Sequence, residues 1–342
     1  VALITDATSE AIAPARGTPA APGGAEDVGA ALRELGWEPV VVAFSESGAM
    51  WLEELVSGDY RLVFNLCEAL AGHVVHEHVA AAAIELLGLP MTGARSFTLG
   101  LCLRKDVVGA VLRSHGVAVP EWIVVAAGDP APRWRAFPAI VKPVADDGSY
   151  GIRGDSVVRD RTELAAALRR GHATWDRLLV QRFVPGREFT LAIVGDHVLP
   201  HAELDFRAFP PDVPHIVTYA AKWEYGSAEE RGLGFRCPAP LSARAARRLT
   251  ALARRAWAAV EGVGYGRIDV RVDARGTVFV TDVNPNPDLS PRVGLSSQAV
   301  VAGWTYVDLI ARIVGDALAR GASLPAARRG EATRATARDG RG

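Results

Sequence analysis

Asp269, Asp282 and Asn284 carry the first chemical signal in this 342-residue chain. Two carboxylates and an amide oxygen form a hard, oxygen-only donor set, suited to Mg²⁺ that also keeps water and phosphate ligands. The competing reading is a surface hairpin with ordinary exposed acids. A second signal lies in the basic residues. Of the 38, three are lysines (Lys105, Lys142 and Lys222) and the other 35 are arginines, while asparagine occurs only at Asn65, Asn284 and Asn286. Such usage is what a GC-rich coding bias produces, so each survivor can mark a place where no substitute serves. Arginine does not mimic a compact ammonium at a phosphate, and aspartate does not mimic a neutral amide. Chance survival is the alternative, and it weakens if all three lysines fall where phosphate would bind.

The elements around these residues are legible. In the stretch from residue 265, Ile268, Val270 and Val272 alternate with Asp269, Arg271 and Asp273, the period of a strand with two different faces. Residues 273–276 make a turn. A β-branched run at 277–283 then ends in Asp282, Asn284 and a proline-stiffened loop. Paired as a hairpin, the two strands bring Asp269 and Asp282 together at one end of a sheet. Lys142 ends a buried-looking strand at 139–142, and the loop 144–151 that follows contains Gly148 and Gly151. A buried ammonium needs an anionic partner, and the backbone N–H groups of such a loop offer themselves to one. That pattern reads as a lysine on a nucleotide phosphate beneath a flexible lid, or more blandly as a surface lysine beside a turn.

Further strands are expected at 178–183 and 188–194. The first can offer backbone groups to an adenine edge, with Glu188 placed for a ribose. Residues 206–237 form a long irregular segment of the kind that is usually a lid or disorder. Helices are expected at 104–115, 161–170, 243–261 and 306–318. Ahead of them, strands at 2–5, 39–44 and 61–66 alternate with helices, which argues for a small parallel sheet that binds ligands beyond its carboxyl ends. No G-x-G-x-x-G follows the first strand, so dinucleotide binding has no support. The Ala/Arg/Gly-rich tail at 321–342 is aperiodic and expected to be disordered.

Bulk properties bound the function. A net charge of -1 and a pI near 6.8 give no footprint for nucleic acid. No apolar run reaches the roughly 20 residues needed to span a bilayer, and no signal peptide opens the chain. Three cysteines without metal-type spacing indicate free thiols and a cytoplasmic setting.

Over most of the chain, from residue 61 to residue 314, a series of motifs resembles the ATP-grasp ligases, and within them the D-alanine:D-alanine ligases and their relatives. The motifs are Val63-Phe64-Asn65-Leu66, Leu89-Pro90-Met91-Thr92-Gly93, Arg104-Lys105, Phe137-Pro138-Ala139-Ile140-Val141-Lys142-Pro143, Ser149-Tyr150-Gly151-Ile152, Gly186-Arg187-Glu188-Phe189-Thr190, Gly266-Arg267-Ile268-Asp269-Val270 and Asp282-Val283-Asn284-Pro285. Any one is weak, but their common order is specific. The resemblance implies an α/β, three-lobed ATP-grasp fold: an N-terminal parallel α/β domain at 1–93, a central α+β lobe at 94–182, and a C-terminal α+β lobe with an antiparallel sheet at 183–320. It implies Lys105 and Lys142 on the ATP phosphates and Lys222 on the loop that closes over them. Gln181, Arg182 and Val184 would meet the adenine and Glu188 the ribose. Asp269, Asp282 and Asn284 would hold two Mg²⁺, for which Mn²⁺ can substitute. Ser149 is the lid residue that carries over cleanly, and Arg267 matches the arginine that stabilises the developing oxyanion.

The reaction implied is ATP-driven joining of a small carboxylate to a small amine through an acyl phosphate, and the family suggests a homodimer. Departures from the pattern bear on substrate. The N-terminal signature keeps only a Ser-Glu pair ending at Glu10. Cys67-Glu68 replaces the usual His-Gly, and His73, His76, Glu77 and His78 follow, read as a polar substrate wall ahead of a zinc site. Asp288, Val293 and Gly294 fall where true D-alanyl ligases receive the acceptor carboxylate. An aspartate there would repel a carboxylate and favour a cation. The leading expectation is therefore a biosynthetic amide- or peptide-forming ligase, including ring closure within one molecule, whose substrate is not D-alanine. The alternatives are an authentic D-alanine:D-alanine ligase of cell-wall synthesis and a non-catalytic nucleotide-binding regulator. The last would need neither Arg267 nor both metal carboxylates.

Overall fold

Three β-branched runs near the start form a parallel sheet of β1 (Ala2–Asp6), β2 (Val40–Phe44) and β3 (Val63–Asn65), in the order β2-β1-β3. The connecting helices are α1 (Gly24–Glu34) and α2 (Met50–Ser57), and α3 (Glu77–Leu86) follows the third strand. The computed structural model describes residues 1–6, 24–44, 50–68, 76–291 and 293–322. Glu10, His73 and most of the 321–342 tail lie outside the described residues. Among the described residues no helix is long and apolar enough to cross a membrane.

Two short helices, α4 (Ser96–Leu103) and α5 (Lys105–Ser114), lead into an antiparallel sheet of β4 (Trp122–Ala126), β5 (Ala139–Pro143), β6 (Val157–Val158) and β7 (Arg177–Arg182), ordered β4-β7-β5-β6. Helix α6 (Arg161–Gly171) covers it. The Asp160 carboxylate accepts from the Thr162 and Glu163 N–H groups at the start of α6, a cap of about 1 kcal/mol. The core of this sheet, including Val125, Trp134, Val141, Leu164 and Val180, draws its buried apolar residues from its own segment.

The third sheet is antiparallel and built from β8 (Arg187–Val194), β9 (His197–Val198), β10 (Ala202–Asp205), β11 (Gly234–Arg236), β12 (Tyr265–Val272) and β13 (Val278–Asn284). Its order is β11-β10-β8-β12-β13, with β9 on β8. Between β10 and β11 lie α7 (Tyr219–Trp223) and α8 (Ala228–Gly232). Helix α9 (Ala243–Ala259) buries Leu249, Leu252, Ala253, Ala256 and Trp257, a stripe at helical spacing, against the sheet. Its close approach needs Gly266: a Cβ there would sit 2.3 Å from the Trp257 ring. Helices α10 (Gly294–Val301) and α11 (Tyr306–Ala322) complete the fold.

The mixed α/β architecture, one parallel and two antiparallel sheets, is the one expected. Residues 206–237, read as irregular, hold α7, α8 and β11, each only three to five residues long. Helix α10 also escaped the pattern, because it buries Leu295, Ser296, Gln298 and Ala299 and so shows no polar stripe opposite an apolar one. Packing does not follow the sheets one for one. Cys102, Val108, Leu112 and Val117 join the core of the third sheet, and Leu3, Leu32, Leu62 and Phe64 share a core with Ala192, Tyr265, Leu309 and Ile313.

Candidate active site

Charged side chains on one face of β12 define the site. Ile268 and Val270 point into the core, so Arg267, Asp269 and Arg271 share the opposite face. On β13, Asp282 stands opposite Asp269 and Asn284 opposite Arg267, whereas Val280 stands opposite Val270. Thr281 is therefore an extra residue, a β-bulge. Without it, strict alternation from Val280 would turn Asp282 and Asn284 towards the core. The bulge is what brings both oxygen donors to the face that carries Asp269.

This face opens on a cavity of about 980 Å³ bordered by the central and C-terminal sheets and the carboxyl end of the N-terminal sheet. The described residues expected to serve catalysis, nucleotide, metal or substrate line it, apart from His76 and His78. Lys105, Lys142 and Ser149 enter from the central segment, together with Gln181, Arg182 and Val184. Glu188, Lys222, Arg267, Asp269, Asp282 and Asn284 enter from the C-terminal side. At the far end stand Glu68, Glu77, Asp288, Val293 and Gly294. Of the histidines near Glu77, His78 lies against Gly100 of α4.

The charges are arranged to receive anions and cations side by side. Burial pushes the Lys142 ammonium down to about 8, with Asp282 the chief group opposing the fall; its Nζ lies 3.4 Å from the Thr281 carbonyl oxygen. Burial raises the Asp282 carboxyl, Asp147 and Asp269 raise it further, and Lys105 and Lys142 pull it back. Arg267 donates from Nε and Nη2 to both oxygens of Asp269, at 3.0 to 3.2 Å. Burial works against the Arg267 charge, but Asp269, Asp147 and Asp282 outweigh it and hold the guanidinium above its usual value. Two facing carboxylates plus an amide oxygen, with the Asp282 charge penalised by its surroundings, fit a divalent cation. Asp269 Oδ1 accepts from Arg267 Nε alone and so keeps a second lone pair for one.

Four contributors lay outside the sequence-based set. Asp147 is open to the cavity yet deep in the molecule. Burial would raise its carboxyl, but Lys105, Lys222 and Arg267 bring it below the usual range, and the Asn284 Nδ2 lies 3.4 Å from its Oδ2. Trp223 donates from Nε1 to the Gly148 carbonyl at 2.6 Å, and the Ser149 hydroxyl donates to the Val217 carbonyl at 3.0 Å, so the 144–151 loop is clasped to the 217–223 segment. Lys105 donates to the Asp146 carbonyl. Asn286 joins the lobes: its Nδ2 donates to the Cys67 carbonyl at 3.0 Å and to Glu77 at 2.7 Å, and its Oδ1 accepts from the Tyr265 hydroxyl at 3.0 Å. Burial raises the Glu77 carboxyl well above its ordinary value, against the Asn286 hydrogen bond. Arg271 is the fourth, 5 % exposed and paired with Glu188 at 2.6 Å. The scarcity of asparagine pointed to Asn286. Arg271 was legible from its parity with Asp269.

Comparison with known proteins identifies the family. The family model described as D-ala D-ala ligase C-terminus matches residues 111–315. A D-alanine–D-alanine ligase from Synechococcus sp. strain JA-3-3Ab is 30% identical over 279 residues, covering 80% of this chain and 80% of that protein. The structure of the D-alanine–D-alanine ligase from Bacillus anthracis complexed with ATP superposes with a TM-score of 0.72 at 19% identity, covering 94% of this chain and 98% of that one. The VanG D-Ala:D-Ser ligase from Enterococcus faecalis gives 0.69 at 17% identity, covering 92% and 99%. The chain belongs to the D-alanine–D-alanine ligase family of ATP-grasp enzymes, ATP-dependent ligases that join a carboxylate to an amine.

Proposed function

We propose that the protein condenses two D-alanine molecules at the expense of ATP. The observation that carries the reaction type is the single cavity in which Asp269, Asp282 and Arg267 face Lys105, Lys142 and Lys222. The substrate rests on the relatives, named D-alanine–D-alanine ligases at 30% identity over 80% of both chains. The expectation of a different substrate is not supported. It rested on Asp288, and the Oδ1 of that side chain accepts the Ser290 N–H at 2.7 Å. One oxygen of the carboxylate thus serves a turn of its own loop, and the relatives named D-alanine–D-alanine ligases favour D-alanine.

In this reading residues 1–93, 94–182 and 183–320 are the three lobes. Gln181, Arg182 and Val184 hold the adenine, and Glu188 the ribose. Lys105, Lys142, Lys222 and Ser149 neutralise and orient the phosphates. Asp269, Asp282 and Asn284 would hold Mg²⁺, which would supply positive charge to offset that of the phosphates. Glu68 and Glu77, with Glu10, receive the ammonium of the first amino acid, and the loop at Asp288, Val293 and Gly294 receives the second.

An oxygen of the first D-alanine carboxylate attacks the γ-phosphorus, the bond to the bridging β,γ-oxygen breaks, and ADP leaves with that electron pair. The second D-alanine, its ammonium having lost a proton, attacks the acyl carbon through nitrogen. Arg267 steadies the carbonyl oxygen as it becomes an oxyanion, and collapse expels phosphate with the C–O electron pair as the nitrogen passes its extra proton to that phosphate. Closure of the 144–151 loop excludes water from the acyl phosphate. Purified protein with ATP, Mg²⁺ and D-alanine should release ADP and phosphate and yield the dipeptide by mass spectrometry. Amide formation with other amines, and no D-alanine-dependent ADP release, would overturn the substrate assignment.

A further inference from the structure

We infer that Arg271 is a positioning residue for the nucleotide, one side chain that fixes the adenosine end of the cavity and ties it to the segment carrying Lys222. Its guanidinium is buried on β12 and makes four hydrogen bonds. Nε donates to the Val184 carbonyl at 2.7 Å, Nη1 to Glu188 Oε2 at 2.6 Å and to the His215 carbonyl at 2.8 Å, and Nη2 to the Gly186 carbonyl at 3.3 Å. The Cζ lies 4.6 Å from the centre of the Phe183 ring, which it caps as a cation over an aromatic face.

These partners fall in two groups. Phe183, Val184, Gly186 and Glu188 make up the crossing from β7 to β8, where the central sheet hands over to the C-terminal one. His215 opens the stretch that runs through Val217, the acceptor of the Ser149 hydroxyl, to Lys222 and Trp223. Arg271 spends one carboxylate oxygen of Glu188 and leaves the other, Oε1, for a ligand. By engaging the Val184 carbonyl it also sets the plane of the peptide that follows. Planar donors in a fixed fork do this; an ammonium would satisfy one or two of these acceptors and leave the others buried without partners.

The inference rests on the nucleotide placement proposed above. Losing a charged hydrogen bond that holds Glu188 and Val184 in place should weaken nucleotide binding about tenfold or more. The acyl transfer itself, which involves Arg267 and not Arg271, should change little once nucleotide is saturating.

The test compares the wild type with Arg271→Lys, Arg271→Met and the double variant Glu188→Gln/Arg271→Met, which removes both members of the buried pair and so leaves no lone charge inside. Binding of the ATP analogue AMP-PNP with Mg²⁺ is measured by calorimetry, and steady-state kinetics are taken with ATP and with 2′-deoxy-ATP. Expected are a KM for ATP raised about tenfold or more in Arg271→Met with kcat within about threefold, partial recovery in Arg271→Lys, and a loss of preference for ATP over 2′-deoxy-ATP. Nucleotide should also protect residues 206–226 from proteolysis in the wild type and in neither Arg271→Met nor the double variant. If the wild type does not bind AMP-PNP, the nucleotide placement falls and the inference with it. If the wild type binds it while the folded variants match it within twofold and differ only in thermal stability, Arg271 is merely structural and the inference alone is overturned.

Discussion

Asp269 and Asp282 stand directly opposite one another on β12 and β13, with Thr281 bulged out beside them and its hydroxyl donating to the Asp269 carbonyl at 3.1 Å. Opposed carboxylates repel, and burial adds to the cost of the charge on Asp282. Replacing Asp282 by asparagine should therefore leave the fold as stable as before or more so, whereas Asp269→Asn takes the counter-charge from the buried Arg267 and should cost stability; either change should cut turnover by about 10²-fold or more at saturating ATP. Thermal unfolding without ligand, set beside ADP release across a Mg²⁺ titration, checks both halves. Retained activity with unchanged Mg²⁺ dependence would remove these residues from the metal site.

Lys142 is confined by the strand that carries it and by Thr281 behind it. A guanidinium keeps the charge but needs more room and a different geometry, so Lys142→Arg should lower kcat/KM for ATP by about 10²-fold. The check is initial-rate kinetics beside circular dichroism, since a folded variant with wild-type kcat/KM would contradict the role.

The clasp between Trp223 and Gly148 predicts a leak rather than a loss. Trp223→Phe keeps the ring beside Tyr150, whose centroid lies 6.5 Å away, and deletes one hydrogen bond worth about 1 kcal/mol. Ligation should slow a few-fold, while ADP release uncoupled from dipeptide rises as water reaches the acyl phosphate. The ratio of ADP to dipeptide measures this directly, and a ratio that stays at one would show that the clasp does not seal the site.

His201 gives stability a pH dependence far from the cavity. Its Nε2 faces the Ala246 carbonyl at 3.1 Å and so carries the hydrogen, while Nδ1 is buried with no partner among the described residues. Burial lowers its folded-state pKa below the ordinary 6.5. The unfolded chain therefore takes up a proton that the folded one refuses. Stability is full above about pH 6.5, falls as pH drops through that value, and levels off below the folded pKa. Urea unfolding at about pH 7.5 and pH 5.5 should show a larger acid loss for the wild type than for His201→Gln. Equal losses would contradict the assignment.

Much of the site was legible because its chemistry is written in residue types. Three lysines and three asparagines in a chain short of both all line or adjoin one cavity, apart from Asn65, whose side chain caps the Cys67 N–H at the end of β3. The bulge at Thr281 was not foreseen, although a trace of it was present. The apolar parity shifts from Val278 and Val280 to Val283, which an unbroken strand would not do. Lobes sharing one core left no such trace: Leu3, Phe64 and Tyr265 are ordinary core residues until the chain has folded them together. The short elements between β10 and β11 take their shape from packing against Phe206 and Phe209, contacts that no local pattern announces.

The shared cores decide how the cleft can open. The N-terminal and C-terminal sheets are one piece, joined by Leu62, Phe64, Ala192 and Tyr265 and riveted at the site by Asn286, whereas the buried core of the central sheet is drawn from its own segment. The central sheet is therefore a door, hung at the crossing around Val184 and latched at Gly148 by Trp223. In the nucleotide placement proposed above, adenosine would lie by the hinge, where a swing displaces atoms least, and the phosphates by the latch, where it displaces them most. Such a door can release a spent phosphoryl group while still gripping the base.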